Sequence, residues 1–80
     1  MENLLEEKLE QLYTNDVIFN INYVGENKEK IYNIYVILNV GPKYDFEFQY
    51  KFDDYFTLDY NIQRLRKIID LKILKLFSRF

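Results

Sequence analysis

Histidine and cysteine are both missing from this 80-residue chain. Their absence removes the commonest general base and the commonest metal ligand. It also removes any thiolate nucleophile, disulfide or zinc–thiolate site. The single serine, Ser78, sits beside Arg79 near the end of the sequence with no base close by. Glycine and proline are scarce, at two and one, so there is no glycine-rich phosphate loop, flexible linker or repeat. No stretch approaches ~18 uninterrupted apolar residues, and no segment is expected to span a membrane. The opening Met1-Glu2-Asn3 has neither the basic nor the apolar region of a signal peptide, which makes a cytoplasmic location the expectation. Paired carboxylates are the remaining route to acid–base chemistry. Asp53 and Asp54 are adjacent, and Asp45 and Glu47 are two apart. Nothing in the sequence drives their pKa values apart, as an acid/base pair requires. Asp53, Asp54 and Asp59 lack the spacing and glycine of a calcium loop. The chain is therefore expected to be no enzyme, with no metal and no cofactor.

What is present is a single domain over residues 1–80, stabilised by large side chains. Aromatic residues make up 19% of the chain and hydrophobic residues 49%, which excludes disorder and offsets the small core of a short chain. Alanine is absent, and Ile, Asn, Lys, Tyr and Phe together fill half the chain. These residues have AT-rich codons, a composition that fits an AT-rich bacterium, its phages or plasmids, or an archaeal virus.

Periodicity divides the chain into five elements. Leu5, Leu9 and Leu12 form a helical stripe within Glu2 to Tyr13, with Glu2, Glu6, Glu7 and Glu10 outside it. Val17 to Val24 and Ile31 to Val40 read as strands, separated by a polar turn over Gly25 to Lys30. After the turn at Gly41-Pro42, Tyr44, Phe46, Phe48, Tyr50 and Phe52 alternate with Asp45, Glu47, Gln49 and Lys51. Such alternation marks a strand with one buried and one wet face. Thr57 or Asp59 caps a last helix, in which Leu58, Ile62, Leu65, Ile69, Ile73, Leu76 and Phe80 form the stripe. The expectation is an α+β two-layer sandwich of order α-β-β-β-α. A three-stranded antiparallel meander carries both helices on its aromatic face. The expected core is Leu9, Leu12, Phe19, Ile21, Ile34, Val36, Leu38, Phe46, Phe48, Tyr50, Ile62, Leu65 and Ile69. The opposite face, with Asn20, Asn22, Asn33, Tyr35, Glu47 and Gln49, is expected to be open.

The element order resembles the double-stranded RNA-binding domain, which is of similar size. That domain places lysines at the start of its last helix. Here that position reads Leu58-Asp59-Tyr60-Asn61, and the loop between the first two strands has no histidine. Both departures fall at the contact residues, so the resemblance implies fold without function.

Three surfaces are candidates for contact. Residues 1–16 carry five acids and one Lys, whereas residues 57–80 carry six bases and two acids, so the molecule is bipolar. The acidic and tyrosine-bearing set is Glu6, Glu7, Glu10, Tyr35, Asp45, Glu47, Asp53 and Asp54. It suits a basic partner and can imitate phosphates and bases. The basic set is Arg64, Arg66, Lys67, Lys72 and Lys75, which suits a phosphate backbone. Beyond its main stripe the last helix also carries Ile68, Leu71, Leu74 and Phe77 and is apolar nearly all round. A homodimer through these helices, a partner protein and a membrane surface compete to explain that, with the homodimer ranked first.

In size, composition and make-up the chain is similar to small phage-encoded inhibitors of host defence, such as anti-CRISPR proteins. The acidic set and the Tyr-rich sheet carry the likeness. It implies a non-enzymatic viral inhibitor, acting in the host cytoplasm, that occupies a surface of a host nuclease complex. A small nucleic-acid-binding protein and a structural homodimer module are the alternatives.

Overall fold

In a computed structural model, residues 2–14, 16–26, 28–39 and 43–78 are described. The elements are α1 (Glu2–Leu12), β1 (Val17–Tyr23), β2 (Ile31–Asn39), β3 (Lys43–Lys51) and α2 (Leu58–Phe77). The expected α-β-β-β-α order is the observed one, and the strands form one antiparallel sheet in the order β1-β2-β3. Both pairings run without a break, from Val17↔Leu38 to Tyr23↔Tyr32 and from Ile31↔Lys51 to Asn39↔Lys43. The expected element ends shift by a residue or so. Val40, Gly41, Pro42, Arg79 and Phe80 lie outside the described residues.

Register puts the aromatic and branched residues of all three strands on one face. Phe19, Val36 and Phe46 lie abreast, as do Ile21, Ile34 and Phe48. Leu5 and Leu9 of α1 and Ile62, Leu65 and Ile69 of α2 pack on that face to form the core. Leu5, Tyr32 and Phe52 join it, beyond the expected set. Leu12, Phe46 and Phe48, expected in the core, are only partly buried against it. The reason for the two phenylalanines is position: β3 is an edge strand, with a neighbour on one side only.

The two sheet edges are treated differently. In β1 the outward amide of Ile21 donates to Glu6 Oε1 at 2.7 Å. α1 thus places a carboxylate on that edge, at one of its outward amides. In β3, Phe52 donates inward to Lys30 O at 2.8 Å. Strand geometry then turns the peptide groups of Asp45, Glu47, Gln49 and Lys51 outward. No hydrogen bond to these amides occurs among the described residues. At the β1–β2 connection, Val24 and Gly25 both donate to Ile31 O, at 2.9 and 3.1 Å. A Cβ on Gly25 would come within 2.2 Å of Glu29 O, so this tight approach requires glycine.

The helices are joined by Tyr13, whose hydroxyl donates to Asp70 Oδ1 at 2.6 Å. Burial first, then that bond, hold the Tyr13 hydroxyl well above the ordinary tyrosine range. Among the described residues, no helix is long and apolar enough to cross a membrane.

Candidate functional site

The connection from β3 to α2 is the most organised surface feature of the molecule. Its centre is Asn61, one turn into α2 and fully buried. Asn61 Oδ1 accepts from the Tyr50 hydroxyl at 2.7 Å and from the Asp53 amide at 2.9 Å. Its Nδ2 donates to Asp53 O at 3.0 Å and to Thr57 O at 2.9 Å. One amide group thereby fixes both ends of the loop, with all four of its main hydrogen-bonding positions used. Asp53 tightens the turn further. Its Oδ1 accepts from the Tyr55 amide at 3.0 Å, and its carbonyl accepts from the Phe56 amide at 3.2 Å. Thr57 caps α2, its hydroxyl accepting from the Tyr60 amide at 3.2 Å.

On this braced loop Tyr55 is 95% exposed. Beside it, Phe56 and Tyr60 stack with ring centroids 4.1 Å apart, both partly open to solvent. An open cleft of about 500 Å³ adjoins them, lined by Lys51, Phe52, Asp53, Asp54, Tyr55 and Arg64. Two ion pairs border it: Lys30 with Asp54 at 2.8 Å, and Arg64 with Asp53 at 3.7 Å. The hydrogen bond to Asp54 raises the Lys30 ammonium above its usual value.

The acidic set does not converge. Glu6 is engaged with the β1 edge, while Glu7 and Glu10 are exposed on α1. Asp45 and Glu47 lie on the helix-free face of β3, on the other side of the sheet. There Asp45 accepts from the Tyr35 hydroxyl and Glu47 from Asn33 Nδ2, the latter at 3.3 Å. The bond to Asp45 raises the Tyr35 hydroxyl above its ordinary range. Asp53 and Asp54 form a third group at the loop. The acids thus occupy three places rather than one patch, and all of them except Glu7 and Glu10 have partners within the chain.

The basic set is also largely engaged. Arg64 lies 5.9 Å from the Tyr50 ring, and Lys72 lies 5.2 Å from the Phe48 ring. Arg66 approaches Asp70 at 3.9 Å. Lys67 is exposed, and Lys75 borders a small hollow with Phe46, Lys72 and Leu76. Among the helix residues, Ile68 packs against the core and Phe77 meets the Tyr44 ring edge-on at 5.8 Å. Leu71 and Leu74 stay open, at 58% and 64% exposure.

Tyr55, Phe56, Tyr60 and Asn61 were not legible as a site from the sequence. The available signal was a Tyr-Phe pair in a connection where no core position calls for one. Among the described residues, no group of three or more acids is placed to hold a metal ion. No protein-family model, curated protein or solved structure matches the chain, so the site rests on its own geometry.

Proposed function

We propose that this chain is a small non-enzymatic binding protein that seats the Asp53–Tyr60 loop on a partner protein. The observation that carries the reading is Tyr55, an almost fully exposed aromatic ring on a loop already held rigid from within. Aromatic anchors dominate protein interfaces, and a loop fixed before contact loses little freedom on binding. Asp53 and Asp54 are paired within the chain to Arg64 and Lys30, and Lys51 also lines the cleft, so charge around the loop is close to balance. A balanced surface disfavours a phosphate backbone, which calls for net positive charge, and leaves the exposed rings as the anchor of a protein contact. A mobile-element inhibitor of the anti-CRISPR kind, working in the host cytoplasm, fits this arrangement. The nucleic-acid alternative is less well supported, because Arg64, Arg66 and Lys72 are already engaged within the fold.

The test is capture from nuclease-treated host lysate by the immobilised wild-type chain, Tyr55→Ala and a Glu7→Lys/Glu10→Lys variant. A nucleic-acid-processing protein held by the wild type and the α1 variant, but released by Tyr55→Ala, is the expected result. Equal capture by Tyr55→Ala would refute the loop as the contact. Capture that disappears with nuclease treatment would favour nucleic acid.

A further inference from the structure

The open edge of β3 combines features that folded proteins ordinarily avoid together. It is nine residues long, unbroken by bulge or proline, and carries four outward peptide groups with no partner among the described residues. Native edges are normally shortened, bulged, covered, broken by proline or charged, and of these devices the β3 edge shows charge alone, at Asp45, Glu47 and Lys51. The β1 edge of this same molecule is blocked at one point, by Glu6 at the Ile21 amide. Beside the β3 edge, the core-face rings of Tyr44, Phe46 and Phe48 are only partly buried. Leu71 lies on the same flank of α2, one helical turn from Lys75, which borders the hollow over Phe46.

We infer that the occupant of this edge is a second copy of the chain, paired antiparallel through β3 about a two-fold axis at Phe48. The charges along the strand select both partner and register. Registers that keep the outward amides opposed differ by steps of two residues. In the register centred on Phe48, Asp45 faces Lys51 of the second copy and Glu47 faces Gln49, and the symmetry repeats each pair. Opposite charges directly across a strand pair attract, and like charges repel. Centring the pair on Glu47 instead sets that carboxylate against its own copy. Centring it on Gln49 brings Glu47 to Lys51 but sets Asp45 against Asp53. On the core face the chosen register sets Phe48 against Phe48 and Phe46 against Tyr50, extending the aromatic layer across the seam. Lys72, 5.2 Å from the Phe48 ring, is brought towards its own copy at the axis, and its long stem lets the ammonium turn to water. The product is a continuous six-stranded sheet with an α2 helix beside each side of the seam. Leu71 and Leu74 both stay on the side of α2 turned away from the sheet. This inference concerns a different edge from the Tyr55 loop and stands independently of it.

A charge exchange tests the register. Sedimentation equilibrium is run on the wild type, Asp45→Lys, Lys51→Asp and the double exchange, with circular dichroism to confirm folding. The wild type is expected to dimerise. Each single reversal, acting twice through the symmetry, should weaken the dimer about tenfold or more. The double exchange should return to within about threefold of the wild type. Gln49→Pro supplies a second route, since it removes an outward amide that the monomer does not use, and it should be monomeric while folded. A wild type monomeric at about 100 μM would overturn the proposal, as would single reversals without effect or a double exchange that fails to restore association. A dimer insensitive to all the β3 variants but lost in Leu74→Asp would place the interface on α2 and equally overturn it.

Discussion

Replacing Asn61 by alanine removes four hydrogen bonds, all between 2.7 and 3.0 Å, from a fully buried site. Two of the groups left behind keep other partners. Thr57 O still accepts from the Asn61 backbone amide at 3.2 Å, and Asp53 O still accepts from Phe56 at 3.2 Å. The other two, the Tyr50 hydroxyl and the Asp53 amide, have no second acceptor among the described residues. The Tyr50 hydroxyl is buried and the Asp53 amide part-buried; a buried orphan costs about 1–3 kcal/mol and a part-buried one less, so the substitution should destabilise by about 3 kcal/mol. A domain of this size has a total stability of roughly 4–12 kcal/mol, so the loss is a large share of it. Tyr50→Phe in the wild type breaks one bond and should cost about 1 kcal/mol. In the Asn61→Ala background the same change removes an orphan and should be neutral or stabilising. The coupling in this cycle is therefore expected at about 1–2 kcal/mol. Urea unfolding followed by circular dichroism measures all four proteins. A loss below about 1 kcal/mol for Asn61→Ala, or an equal effect of Tyr50→Phe in both backgrounds, would refute the account of the loop as held by this amide.

Glu6→Ala should cost about 1 kcal/mol and speed hydrogen exchange at the Ile21 amide; an unchanged exchange rate would show that the carboxylate does not protect that edge. Tyr55→Ala should leave stability within about 0.5 kcal/mol of the wild type, measured by the same unfolding assay, because the ring makes no packing contribution to the core. Thr57→Ala should lower stability by about 1 kcal/mol through loss of the α2 cap, read as a shift in the urea midpoint. Tyr13, Tyr32 and Tyr50 all have hydroxyls raised above the ordinary value, with burial the main cause in each. The folded state holds these protons after the unfolded chain has begun to release them, near the ordinary tyrosine pKa of 10.0. Their contribution is therefore fully present below that pH and declines as pH rises through the folded-state values. Urea midpoints taken upward from pH 8 should be level and then fall beyond about pH 10, with a shallower fall in Tyr13→Phe.

The elements and their order were legible because they depend on patterns that a few neighbouring residues express. The alternation from Tyr44 to Phe52 and the stripe from Leu58 to Leu76 each define a face with no reference to the rest of the chain. The partial burial of Phe46 and Phe48 was not legible in that alternation, since a period of two is the same on a central and an edge strand. Glu6 read as one more acid on an exposed helix face, because its role depends on α1 lying beside β1. Asn61 read as a polar residue near a helix start. Its partners are a ring eleven positions earlier and the backbone of a loop, and no local pattern joins them. The same limit applies to the acidic set. Its members share a sign in the sequence, whereas the sheet separates them by face and by edge.

The bond from Ile21 to Glu6 bears on how many molecules could ever join. A sheet with two open edges can add strands without end, and its growth is limited only by supply. Here Glu6 occupies one amide of the β1 margin, that of Ile21, and a strand pairing there must displace the carboxylate. Strand-wise association that leaves this bond in place is confined to β3 and ends after one addition on each chain. Closure of this kind yields a finite particle rather than a fibre. The first helix thus hinders growth at that margin, and a variant that detached it would be expected to change the size distribution of the assemblies rather than their affinity.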